Sequence, residues 1–312
     1  MALPTYASPL ERIWHYSYLV ICALIFVFLI APILVVIPLS FNVEPYFTFT
    51  EKMLTLDPEG YSMRWYDALL TFGMQAPELP RDGNWFSDMW ANSAWVKAAK
   101  NSVIIGFWAT IFATVLGTLA ALGLSRPEMP WRRTIMAILI SPMIVPIIII
   151  ATGLFFFYSN PCGVVGISCG RLTSTYLGVI LAHTTLGIPF VIITVTATLS
   201  GFDQSLIRAS ASLGANPRTT FFKIIMPLIL PGVVSGALFA FVTSFDEVVA
   251  VLFIAGPEQQ TIPRQMWNGI REAISPAILA VATILVIISI ALLTTVELLR
   301  RRSDRLRGVT GR

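Results

Sequence analysis

The chain has 312 residues, of which 56% are hydrophobic and 12% charged, with a formal net charge of +4. Soluble domains average about 25% charged residues, so an ordinary soluble protein is excluded. The apolar residues run continuously rather than in alternating segments of about 10, which excludes a β-barrel and predicts an all-α polytopic membrane protein.

The first 16 residues are polar, and the apolar run at 17–41 is too long for a signal-peptide core of about 7–15 residues. It is predicted to stay as an anchor. Residues 42–97 are too polar and too rich in Pro, Gly and Trp to span; they predict a short helix at about 62–72 plus a loop. The second span is predicted at 98–124 and the third at 134–158. Cys162 and Cys169 bracket the next loop. In an oxidising compartment they can form a disulfide, which their spacing permits but does not require. Cys22 lies in the first apolar run and reads as a packing residue. The fourth span covers 173–200, the fifth 224–255 and the sixth 275–299, each near the roughly 20 residues needed to cross. Pro32, Pro142, Pro146, Pro189 and Pro231 fall inside spans, where neighbouring helices can satisfy the freed carbonyls.

Basic residues orient the six spans. Arg126, Arg132 and Arg133, then Arg208, Arg218 and Lys223, then the arginines from Arg300 onward all fall on one side, with Arg12. That side is cytoplasmic, and both termini lie there: residues 1–16, and a basic tail at 301–312. The other side carries the acid-rich segment 42–97 and the Cys162–Cys169 loop. Net positive charge here reflects cytoplasmic arginines, not nucleic-acid binding.

The loop 201–223 interrupts this apolar chain with RASASLGANPRTTFFKIIMP. Asp203 can cap a short helix that Gly214 ends; Asn216 then caps the next helix, with Pro217 at its first position. Two readings stand on residues alone: a slim surface helix that enters a groove on another protein, or a connecting loop that is basic only for topology.

From Gly214 the chain runs nine residues to Ile224, then Met226 and Pro227. This resembles the signature loop of bacterial ABC-importer membrane subunits, E-A-A-x-x-x-G-x9-I-x-L-P. Arg208-Ala209-Ser210 stand where the signature has E-A-A, and Met226 replaces its Leu. YSMRWYDALL at 61–70, the second span, SFDEVVAVLFIAGP at 244–257 and TIPRQMWNGIREAISPAILAVATILV at 261–286 are similar to the spermidine/putrescine permease subfamily; 73–94 looks like an insertion. The resemblance implies a type I importer permease fold, an N-terminal span plus a five-helix core at 98–300, in a bacterial inner (plasma) membrane. It implies that Arg208, Ala209, Ser210, Leu213, Gly214, Ala215 and Pro217 form the helix that docks on an ATPase. The implied partners are a second permease subunit, more readily a related one than a copy, two ATPase subunits carrying ATP and Mg, and an extracytoplasmic substrate-binding protein. The segment 42–97 can touch that binding protein or serve as a solvated cap.

The chain itself is predicted to be no enzyme and to bind no cofactor or metal. None of Lys52, Lys97, Lys100 and Lys223 lies in a phosphate-loop motif, and there is no H-E-x-x-H or G-x-S-x-G. Asp246 and Glu247 are predicted inside the fifth span. A carboxylate there costs about 2.5–3.5 kcal/mol and so faces a water-filled pathway or a partner. One reading is a way-station for a cation such as a polyamine; the other is a brace between helices. Phe241, Phe245 and Trp267 can stack on an amine or simply fill the membrane core. His183 reads as a helix-to-helix hydrogen bonder or a proton relay. Rival cargoes are an opine, an amino-acid derivative, a cofactor or a metal complex, and a rival class is a secondary transporter that needs no ATPase.

Overall fold

The computed structural model describes residues 8–126, 128–162, 170–203, 205–272 and 275–306. The chain divides into two compact units, Met1–Phe72 with Gly269–Arg312, and Gly73–Asn268.

In chain order, α1 (Pro9–Leu39) starts from a capping box: the Ser8 hydroxyl accepts from the Glu11 N–H, and the Glu11 carboxylate accepts from the Ser8 N–H. Then come α2 (Glu51–Leu54), α3 (Arg64–Thr71), α4 (Gly83–Asn92) and α5 (Ala94–Leu124). Ser93 caps α5 through the Val96 N–H, so this helix begins before the predicted residue 98. Next are α6 (Arg132–Ile144), α7 (Ile147–Ser159), α8 (Tyr176–Ser200), α9 (Ser205–Ser212), α10 (Pro217–Thr220), α11 (Met226–Phe245), α12 (Val249–Ile254), α13 (Ile262–Glu272) and α14 (Ala277–Leu306).

Six spans are predicted; among the described residues four helices are long and apolar enough to cross a membrane, or five if α6 and α7 count as one. The third predicted span is broken for a physical reason. Between α6 and α7 the chain bends by 103°, because Pro146 has no N–H to donate and holds Val145 extended (ψ 137°). The predicted 224–255 span is one of the four, but it stops at Phe245 and restarts as the six-residue α12.

In the unit holding the N-terminal helix, α14 packs against α1 and α3. Across its most apolar 18-residue window α1 has no residue buried, and Phe26, Phe28 and Leu34 stand open, the outer surface of a helix suited to lipid. The loop after α1 closes on itself: Ser40 and Tyr66 share a hydrogen bond of 2.7 Å, and the Trp65 indole donates to the Asn42 carbonyl at 2.7 Å. The predicted short helix at 62–72 is α3.

The other unit is built on α5, α8 and α11, which pack closely together. Small residues make the approach: a Cβ on Gly117 would lie 2.7 Å from the Val191 Cβ, and one on Gly236 would lie 2.5 Å from the Thr194 hydroxyl. Membrane helices, which gain no hydrophobic energy by leaving lipid, gain packing this way. Their apolar seam holds Ala113, Ala121, Val191, Val195, Ile229 and Ala240. The 73–94 segment adds α4, folded around Trp85, which is 2% exposed. Asp82 caps α4 through the Asn84 and Trp85 N–H groups. The Asp88 carboxylate accepts from the N–H groups of Gln75 and Ala76 and from the Asn92 amide.

Candidate functional site

Two clusters in the Gly73–Asn268 unit hold the residues singled out by sequence, one at each end of α11. The 20 residues of that helix separate them by about 30 Å.

At the first end, Asp203 Oδ1 accepts from the Ser205 N–H at 2.8 Å and opens α9. Bonds from the Ser205 hydroxyl and backbone, with the nearby Arg208 charge, hold the Asp203 carboxyl below the usual aspartate range. Gly214 reverses the chain at φ +79°, a conformation a side chain resists. Asn216 Oδ1 then accepts from the Thr219 N–H at 2.8 Å, and Pro217 takes the first helical position of α10. A single π turn at Phe221–Ile225 joins α10 to α11, so Pro217–Phe245 runs as one helix of 29 residues.

Arg208, Ala209, Leu213, Gly214 and Pro217 are exposed, and Ala215 is half-buried. Leu213, at 87% exposure, is an apolar knob offered to solvent. Ser210, expected among the coupling residues, does not lie on the exposed face of α9. It is 4% exposed, and its hydroxyl bonds the Thr220 hydroxyl at 2.9 Å and the Ile207 carbonyl at 2.8 Å. It clasps α9 to α10.

At the other end, Asp246 and Glu247 do not sit within a continuous span. They form the break between α11 and α12, and they diverge. Asp246 is exposed at the C-terminal cap of α11. Glu247 is 8% exposed and accepts from the Ala250 N–H at 2.8 Å, capping the start of α12. Sequence reasoning missed the residue at the far end of that helix. One guanidinium nitrogen of Arg264 donates to the carbonyls of Val251 (2.9 Å) and Ala255 (2.8 Å). A negative group at the N-terminus and a positive one at the C-terminus each match the helix dipole. The signal was in the sequence: a lone arginine just after a Gly-Pro turn and a short apolar run has carbonyls to serve.

Phe241 and Phe245 stack with ring centroids 5.6 Å apart, and Phe241 lies against Gly106 of α5. Trp267, on α13, is 45% exposed and joins neither ring. His183 is 1% exposed, and its Nδ1 bonds the Ser244 hydroxyl at 2.7 Å, tying α8 to α11. No described group partners its Nε2. Nearby segments are locked by Asn101, whose amide donates to the carbonyls of Glu258 and Gln260 and whose Oδ1 accepts from the Tyr176 hydroxyl. The Ser102 hydroxyl accepts from the Ile262 N–H at 2.9 Å and places the start of α13. Cys169 lies outside the described residues, and the possible Cys162–Cys169 pairing with it.

Residues 113–307 match a family model described as binding-protein-dependent transport system inner membrane component. The chain is 31% identical over 280 residues to the spermidine/putrescine transport system permease protein PotC of Haemophilus influenzae, covering 90% of this chain and 95% of that protein. It is 30% identical to the putrescine transport system permease protein PotI of Escherichia coli, covering 91% and 88%. Among solved structures it is similar in fold, with a TM-score of 0.65 at 15% identity, to a chain of a bacterial ABC transporter that imports the acidic polysaccharide alginate; 96% of this chain and 99% of that chain are covered.

Proposed function

The chain belongs to the family of binding-protein-dependent transport system inner membrane components, a permease subunit of an ABC importer, and from that premise we propose a cationic cargo of the polyamine class and a division of labour between its two residue clusters. In this reading six spans cross the inner membrane with both termini cytoplasmic. A second permease completes the pathway, two ATPase subunits hydrolyse ATP, and a binding protein delivers substrate outside.

The observation that carries the coupling half is the continuous path from α9 to the pathway. An exposed α9 and the exposed Leu213 offer a docking surface, the Ser210–Thr220 clasp and the Asn216-Pro217 entry stiffen the turn, and one 29-residue helix leads to Asp246. A motor that moves α9 therefore moves the far end of α11. There the exposed Asp246 carboxylate stands next to the stacked Phe241 and Phe245. It follows the C-terminal carbonyls of α11, the negative end of the helix. All of these attract an ammonium. Glu247 takes the bracing role, because its carboxylate is occupied by the amides of α12.

Radiolabelled spermidine and putrescine uptake by the assembled importer tests the reading. Asp246→Asn is expected to raise the half-saturation concentration for the cation with ATPase association intact. Normal uptake by Asp246→Asn, or uptake that continues without any ATPase, overturns it.

A further inference from the structure

Beside the coupling loop the structure holds a second built site. A cavity of about 740 Å³ opens where α5 and α8 end and α9 and α10 begin. Its apolar wall includes Leu122, Phe202, Phe221 and Ile225. An adjoining cavity of about 800 Å³ shares Leu122, Arg126, Glu128 and Phe221 with it, so the apolar wall continues along α5 toward Leu119. Two guanidinium groups from different parts of the chain, Arg126 after α5 and Arg208 on α9, reach the first cavity. Neither makes a salt bridge among the described residues. Glu128 shares the wall, which leaves one net positive charge.

A ligand for this space needs one anionic group and a long apolar body, and it must be at hand where apolar helices leave a bilayer. We propose that the cavity binds an anionic glycerophospholipid, its phosphate held between Arg126 and Arg208 and an acyl chain lying along Leu122 and Phe221. The single charge of a phosphodiester matches the net charge of the wall. Guanidinium groups suit it because their planar donors pair with phosphate oxygens two at a time. The site gives Arg208 a role at the position where the signature loop has an acid: it ties α9 to the lipid surface. A lipid there would set the resting position of α9. The inference depends on the membrane setting and not on the cargo.

Native mass spectrometry of the full importer, extracted in mild detergent and exchanged into equal phosphatidylglycerol and phosphatidylcholine, tests it. Phosphatidylglycerol is expected to be retained selectively. Each arginine near a bilayer surface changes affinity for anionic lipid about fivefold, so Arg208→Gln lowers retention about fivefold and Arg126→Gln with Arg208→Gln about thirtyfold. Both side chains are exposed, so the variants are expected to fold, and lipid is read on the permease mass whether or not the ATPase stays bound; Arg208→Lys, which keeps the charge, should retain most of the lipid. Equal retention of the two lipids, undiminished phosphatidylglycerol on the double variant, or its displacement by millimolar inorganic phosphate overturns the proposal.

Discussion

Replacing Arg264 by Gln tests the two-ended hold on α12. The guanidinium serves two carbonyls, but they do not lose equally. The Val251 carbonyl also accepts from the Ala255 N–H at 3.0 Å and keeps that partner in the variant. The part-buried Ala255 carbonyl loses its charged donor, and an acceptor left unmet costs about 1–3 kcal/mol. Loss of the positive charge from the helix end adds about 1 kcal/mol. The total, about 2–4 kcal/mol, falls on local opening of α12 and not on the α5–α8–α11 seam. Hydrogen exchange by mass spectrometry in detergent reads it directly. Peptides covering 249–255 should exchange about 30- to 700-fold faster, with those from α8 unchanged. Arg264→Lys, which keeps the charge and a donor, should fall between. If exchange in α12 is unaltered in Arg264→Gln, or rises equally throughout the chain, the clamp reasoning is wrong.

Other expectations follow from the same geometry. Gly236→Val should lower the thermal stability of the purified importer by an amount matching about 1–3 kcal/mol or more of overpacking, because its Cβ would lie 2.5 Å from the Thr194 hydroxyl and 2.8 Å from the Val191 Cα; an unchanged melting temperature refutes the close-packed seam. Gly214→Val should weaken capture of the ATPase partner, since φ +79° costs a side chain about 1–2 kcal/mol although no atom would clash there; Gly214→Asn, which tolerates that conformation, should recover most of it. Asp203 has a lowered folded pKa, so its support of α9 is full above the unfolded value of about 3.9 and fades as pH falls through the folded one. Exchange in α9 should therefore gain an additional rise at low pH that Asp203→Asn lacks, and identical profiles would count against the cap.

Part of this protein is written locally. The apolar runs, the positions of arginines, the Asp203 and Asn216 caps and the Gly214 turn are short-range matters of hydropathy, charge and backbone preference, and the Gly214-to-Pro227 spacing needs nothing but the linear chain to carry its resemblance to an importer loop. Even the bend between α6 and α7 follows from Pro146, although a proline inside an apolar run also reads as tolerable, as Pro189 is within α8. What the chain could not disclose by itself depends on partners far away in sequence. Ser210 reads as part of an exposed face until Thr220 folds against it. Asp246 and Glu247 read as neighbours in one span; they separate into an exposed carboxylate and a buried cap only because the break between α11 and α12 falls on them. Arg264 gains its role from carbonyls 9 and 13 residues away. Hydropathy decides that a segment enters the membrane, but a buried polar group goes where a donor or acceptor can meet it, and only the packed helices supply that address.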